Sequence, residues 1–113
     1  MTSQSNDDVT RLVLGGHLTV ESLTSALADL ELRLGAGDKL LLLIDCREML
    51  AYELGARHLF VEWNAKHRHR IHCVAILTSN RLWWMVIGAM RLASGQAMAA
   101  FADESAALAW LRR

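Results

Sequence analysis

The chain has 113 residues, twelve basic against twelve acidic side chains, five histidines, two cysteines and no proline, with 53% hydrophobic and 21% charged residues. That length supports one domain with an ordinary core, and a formal net charge of zero removes the electrostatic footprint of a general nucleic-acid or anionic-membrane binder. So apolar a chain is not intrinsically disordered beyond its first few residues, and some of its hydrophobic surface is expected in an oligomer interface or a ligand cavity.

In chain order, residues 1–8 read as a flexible tail, and residues 9–113 as a single domain. Val9 to Leu14 (VTRLVL) is β-branched and apolar and reads as a strand closed by Gly15-Gly16. Thr19 is an N-cap with Glu21 in the first turn, and Leu23, Ala26, Leu27, Leu30 and Leu34 recur at helical spacing until Gly35 and Gly37 end the helix. Lys39 to Asp45 (KLLLLID) is continuously apolar, the signature of a strand covered on both faces in a parallel sheet. In the segment that follows, Ala56, Leu59, Phe60 and Trp63 share one helical face, with Arg57, Glu62, Asn64 and Lys66 turned elsewhere.

Ile71 to Thr78 (IHCVAILT) is a second buried strand, and Ser79-Asn80 is a turn that caps the next helix. Leu82 to Ala93 is apolar nearly all round apart from Arg91, which predicts a helix buried on more than one side. Gln96 to Phe101 is a weak strand, and Asp103 caps a last helix with Ala107, Trp110 and Leu111 as its inward stripe. Strands alternating with helices predict an α/β fold with parallel neighbours and right-handed crossovers. With so few strands, the helices are expected to cover mainly one face of the sheet.

The tail lacks the basic and apolar regions of a secretory signal, and the apolar run Leu82 to Ala89 is too short to span a bilayer. Cys46 and Cys73 lie in or beside apolar strands and read as reduced, buried thiols, so a cytoplasmic location is expected.

The residues LVLGGHLTVESL (12–23), LLLIDCREM (41–49), VAILTSNRLWW (74–84) and FADESAALAWLRR (101–113), in that order, resemble the SpoIIAA-like family, the STAS/SEC14-like group of small bacterial domains. The resemblance spans nearly the whole chain and rests on the order of the segments and the closing Phe-x-Asp-x-x-x-Ala-x-x-Trp-Leu pattern. It implies a four- or five-stranded, mostly parallel mixed sheet with about four helices, without cofactor or catalytic residues. Relatives that antagonise anti-sigma factors carry a phosphorylated serine after the strand that ends in Asp. Here the corresponding stretch, Cys46 to Glu53, holds no serine or threonine, so a phosphoserine switch cannot operate there.

Three groups are candidates for chemistry. In Lys66 to His72, His67 and His69 diverge on a helix and lack a third ligand, so no metal is expected and the cluster reads as a solvated helix end. Asp45, Arg47, Tyr52 and Glu53 follow one apolar strand, and Ser79, Asn80 and Arg81 follow the other. If those strands are adjacent and parallel, both loops border one partner or ligand surface at the strand ends. Neither a nucleophile elbow, a phosphate loop nor an H-E-x-x-H helix is present. Trp83-Trp84-Met85 is the third group: neighbouring helical residues differ by roughly 100°, so one indole faces inward while the other meets solvent or a partner.

The leading expectation is a non-enzymatic regulatory or protein-docking module, forming a homodimer, without cofactor, nucleic acid or membrane span. The alternative is a binding module for a small apolar or lipid-like ligand held in a cavity lined by Phe60, Trp84 and Met85, with Trp83 as core, interface or ligand-facing.

Overall fold

The computed structural model describes residues 8–34 and 39–113. The tail expected over residues 1–8 lies, apart from Asp8, outside the described residues, as do Gly35 and Gly37. The elements run β1 (Val9–Val13), β2 (Gly16–Leu18), α1 (Val20–Glu31), β3 (Leu40–Asp45), β4 (Met49–Tyr52) and α2 (Leu54–His67). A 3-10 turn (Arg68–Arg70) leads into β5 (Ile71–Leu77), α3 (Arg81–Ser94), β6 (Met98–Phe101) and α4 (Glu104–Leu111). The main sheet has the order β1-β3-β5-β6, and β2 and β4 form a separate pair. Every described pairing is parallel.

Side chains alternate across the main sheet. Leu42, Ile44, Val74, Ile76 and Met98 meet Leu23, Leu27 and Leu30 of α1, Ala56, Phe60 and Trp63 of α2, and Ile87 of α3. Val9, Leu43, Cys73, Ala75 and Leu77 meet Ala107 and Leu111 of α4 on the other face. Two covered faces explain why β3 and β5 read as unbroken apolar runs. Three helices on one face and one on the other leave β1 only partly covered, and Val13 is 59% exposed.

The helix ends follow their sequence signals. Thr19 and Ser22 form a reciprocal capping box on α1. The Asn80 side chain accepts from the Leu82 amide, and that of Asp103 from the Ala106 amide. Gly95 ends α3 at φ +72°, in the left-handed region that favours glycine.

Two expectations are corrected. α3 is not buried on more than one side: Ile87 and Ser94 are its buried residues, while Leu82, Met85 and Leu92 are 73%, 76% and 84% exposed. A single sheet face shared with α1 and α2 covers only one stripe of α3, whatever the apolarity of the rest. Asn64, expected to turn away from the core, is fully buried, and its Nδ2 donates to the Phe60 carbonyl at 2.9 Å. The strands β2 and β4 were not anticipated from periodicity, because three- and four-residue segments carry too little pattern. Gly16, at φ +65°, turns the chain out of the main sheet, and its amide donates to the Glu48 carbonyl.

Candidate binding pocket at the strand ends

β3 and β5 are adjacent and parallel, so the loops after them leave the sheet on the same edge. The Cys46 amide donates to the Leu77 carbonyl at 2.9 Å, and the Thr78 amide to the Phe101 carbonyl at 2.8 Å, which carries the parallel ladder one residue past both strands. Side chains beyond that point divide between the two faces.

On the α4 face, Asp45 is nearly enclosed. Its Oδ1 accepts from Arg47 Nε at 3.0 Å and from the Arg47 amide at 3.1 Å; its Oδ2 accepts from Arg47 Nη2 at 2.7 Å. Arg11 of β1 approaches Oδ2 at 3.4 Å. Glu104, in the first turn of α4, pairs with both Arg47 Nη2 at 3.1 Å and Arg11. Two cations and two anions thus join β1, β3 and α4. The Arg47 guanidinium holds the Asp45 carboxyl below its usual range, which leaves it an ionised structural partner and a poor proton carrier at neutral pH.

On the opposite face lies a half-open cavity of about 70 Å³. Leu14, Leu18, Leu23, Ile44 and Ile76 form its floor and back wall, Met49 and Tyr52 of β4 one side, and Ala56 and Phe60 of α2 another. Trp83, Val86, Ile87 and Met90 of α3 close it. Tyr52 and Trp83 meet edge to face, their ring centres 5.7 Å apart. Cys46 and Thr78 also line it, and burial pushes the Cys46 thiol up to about 12, so that sulfur stays protonated and unreactive. A second, shallower cavity of about 340 Å³ runs between α2 and α3, bordered by His58, Val61, Glu62, Ala89 and Ala93. Arg57 and Met90 line both cavities.

Of the expected site residues, the strand ends bring Tyr52, Phe60 and Trp83 together at the pocket, and Asp45 with Arg47 on the far face. Glu53 is neither: its Oε1 accepts from the Val20 amide at 2.8 Å and ties α1 to the start of α2. Asn80 caps α3, Ser79 is exposed, and Arg81 stacks over Trp84 at 4.8 Å. Trp84 and Met85 do not line the pocket as expected. Trp84 Nε1 donates to the Thr78 carbonyl at 3.0 Å, and Met85 faces outward. Arg57 was expected to turn elsewhere. It lies one residue after buried Ala56 and three before Phe60, and that spacing is the only sequence signal for its place at the pocket.

His67 lies 3.2 Å from Glu31, which also accepts from Trp63 Nε1 at 2.9 Å, so the three residues join the ends of α1 and α2. Among the described residues no three His, Cys, Asp or Glu side chains converge. Cys46 and Cys73 are free, buried and on opposite faces of the sheet. No described helix is long and apolar enough to cross a membrane.

A parallel four-stranded sheet, a small two-stranded annex and a pocket at the strand carboxyl ends define a SpoIIAA-type α/β domain. The sequence matches the SpoIIAA-like family over residues 9–112, and the chain belongs to that family. Its fold is similar to the crystal structure of an uncharacterised protein of the DUF3478 family, with a SpoIIAA-like fold, from Shewanella loihica PV-4. The two share 25% identity at a TM-score of 0.77, over 93% of this chain and 86% of that one. No curated protein matches the chain significantly.

Proposed function

We propose that this protein is a non-enzymatic binding module that holds a small apolar or lipid-like ligand in the pocket between the sheet, β4, α2 and α3. One observation carries the reading: the half-open cavity at the strand ends is lined mainly by aliphatic, aromatic and thioether side chains, with Cys46, Thr78 and Arg57 among them, and a lining of that kind takes apolar guests. Its volume is below the roughly 150 Å³ that receives benzene in an engineered core. The ligand is therefore slender, the end of a single alkyl chain. The groups with acid–base chemistry at this edge support binding better than catalysis, since the Cys46 thiol stays protonated and Asp45 is committed to Arg47.

The test is thermal unfolding of the full chain with 1-octanol, followed alongside its intrinsic tryptophan fluorescence, to which Trp83 at the pocket contributes. A concentration-dependent rise in Tm with a change in emission is expected. Val86→Phe, which fills the pocket from a partly exposed position, should keep the fold and abolish both responses. No response in the native protein overturns the reading.

A second reading, docking to another copy of the chain, is favoured by the outer face of α3. Leu82, Met85, Ala89 and Leu92 repeat at the three- and four-residue spacing of a helix-pairing seam, and all four are exposed. Across an antiparallel two-fold axis, Met85 would sit over the small Ala89 of the second copy and Leu82 over its Leu92. Arg81 of one copy would then approach the end of α3 beside which Glu62 lies, which pairs opposite charges. Neither reading uses a phosphoserine switch, since Cys46 to Glu53 holds no serine or threonine.

A further inference from the structure

We infer that the pocket's ligand carries a single carboxylate and that Arg57 is the residue that recognises it: the site takes a medium-chain monocarboxylic acid, tail inward. The inference rests on the apolar-ligand reading above and adds the head group.

An apolar tail in the 70 Å³ cavity must leave its polar end at the mouth, because the interior has no charged partner for it. Arg57 borders that cavity and also the 340 Å³ groove between α2 and α3, so it stands where the two meet, with Met90 across from it. The other arginines near this end of the sheet are committed: Arg11 and Arg47 to Asp45 and Glu104, and Arg81 to the Trp84 ring. No ion pair or side-chain hydrogen bond engages the Arg57 guanidinium among the described residues, although it is partly withdrawn from solvent beside apolar walls. A guanidinium in such a place presents two parallel N–H donors, the geometry of a carboxylate, and pairs more strongly there than in open water.

The charge count selects the head group further. One cation faces the junction, and the ionisable neighbours in the groove beyond it are His58 and Glu62. The Glu62 carboxylate opposes any second negative charge, which disfavours a phosphomonoester dianion. A cationic head would meet Arg57 itself. Recognition by this residue is thus specific for a monoanion whose chain is thin enough to lie in the cavity beside the Tyr52–Trp83 pair.

The experiment is titration calorimetry on the full chain with four octyl probes below their micellar concentrations: octanoate, 1-octanol, octylamine and octyl phosphate. Octanoate is expected to bind about tenfold more tightly than octanol, as a charge-assisted hydrogen bond allows, and octylamine more weakly than both. Arg57→Gln should bring octanoate down to the octanol affinity while octanol binding is unchanged, and Arg57→Lys should restore part of the difference. Unaltered octanol binding doubles as the control that the variant pocket is folded. Equal affinities for octanoate and octanol overturn the head-group assignment but leave the apolar pocket standing. So does octanoate binding that Arg57→Gln does not weaken. Tighter binding of octyl phosphate overturns the monocarboxylate. Failure of all four probes to bind overturns the pocket reading and this inference with it.

Discussion

Asp45 and Arg57 illustrate, at the residue scale, two uses of charge in one small domain. Asp45 is spent on structure. Its carboxyl is held below its ordinary value of 3.8 chiefly by the Arg47 side chain, and next by the Arg47 amide and the charges of Arg47 and Arg11. A carboxyl depressed in the folded state adds stability that is fully present above its unfolded value and is lost as pH falls through the folded one. Arg47 is partly exposed and its contribution is screened accordingly. Asp45→Asn should therefore cost about 1 kcal/mol at neutral pH, and the difference from the native protein should shrink below the carboxylate range. Urea unfolding of both proteins at neutral and strongly acidic pH checks this; a constant difference would contradict the ion-pair account. Arg57, by contrast, is left without a partner among the described residues at the edge of an apolar cavity. The sequence placed Asp45 correctly at the end of a buried strand, whereas it turned Arg57 and buried Asn64 away from the covered face. Helical phase alone does not say how wide the covered stripe of a helix is.

Among the elements, α3 departs most from its sequence pattern. Its caps, Asn80 and Gly95, stand where the residue types predict, and its inward stripe is centred on Ile87. Its apolar outer face is unmatched by any neighbour among the described residues, with Leu82, Met85 and Leu92 all more than 70% exposed. Such a seam is expected to bring two copies together at tens of micromolar. Sedimentation velocity should show a species heavier than the 12.6 kDa chain, and Met85→Lys with Leu92→Lys should return it to monomer without lowering Tm. A native protein that sediments as a monomer overturns the seam as an interface. The annex of β2 and β4 shows a different reason for illegibility. Segments of three and four residues are stabilised by the turn at Gly16 and by pairing across 30 residues of chain, and neither leaves a local period.

At the scale of the whole molecule, the sheet has two unequal layers. Three helices on one face leave a gap between them near the strand ends, and that gap is the pocket; one short helix on the other face packs tightly on Ala75, Leu77 and Leu43. Leu43 is fully buried on the α4 side of a central strand, so Leu43→Ala should cost about 3 kcal/mol, a large share of the 5–15 kcal/mol typical of a domain. Leu50, 82% exposed on β4, should tolerate alanine with a change below about 0.5 kcal/mol. Denaturant midpoints of the two variants compare them directly, and equal costs would contradict the layering described.

The sequence by itself determined the two central strands, the helix caps at Thr19, Asn80 and Asp103, and the parallel α/β class, because continuous apolar runs and capping residues act over a few positions of chain. Only the tertiary structure decided which face of α3 is covered, that Asp45 and Tyr52 part to opposite sides of the sheet, that Trp83 rather than Trp84 enters the pocket, and that Arg57 stands at its mouth. Those outcomes depend on how many helices share one face of a four-stranded sheet and where those helices fail to meet. That is a property of distant segments packed together, and no short stretch of the chain encodes it.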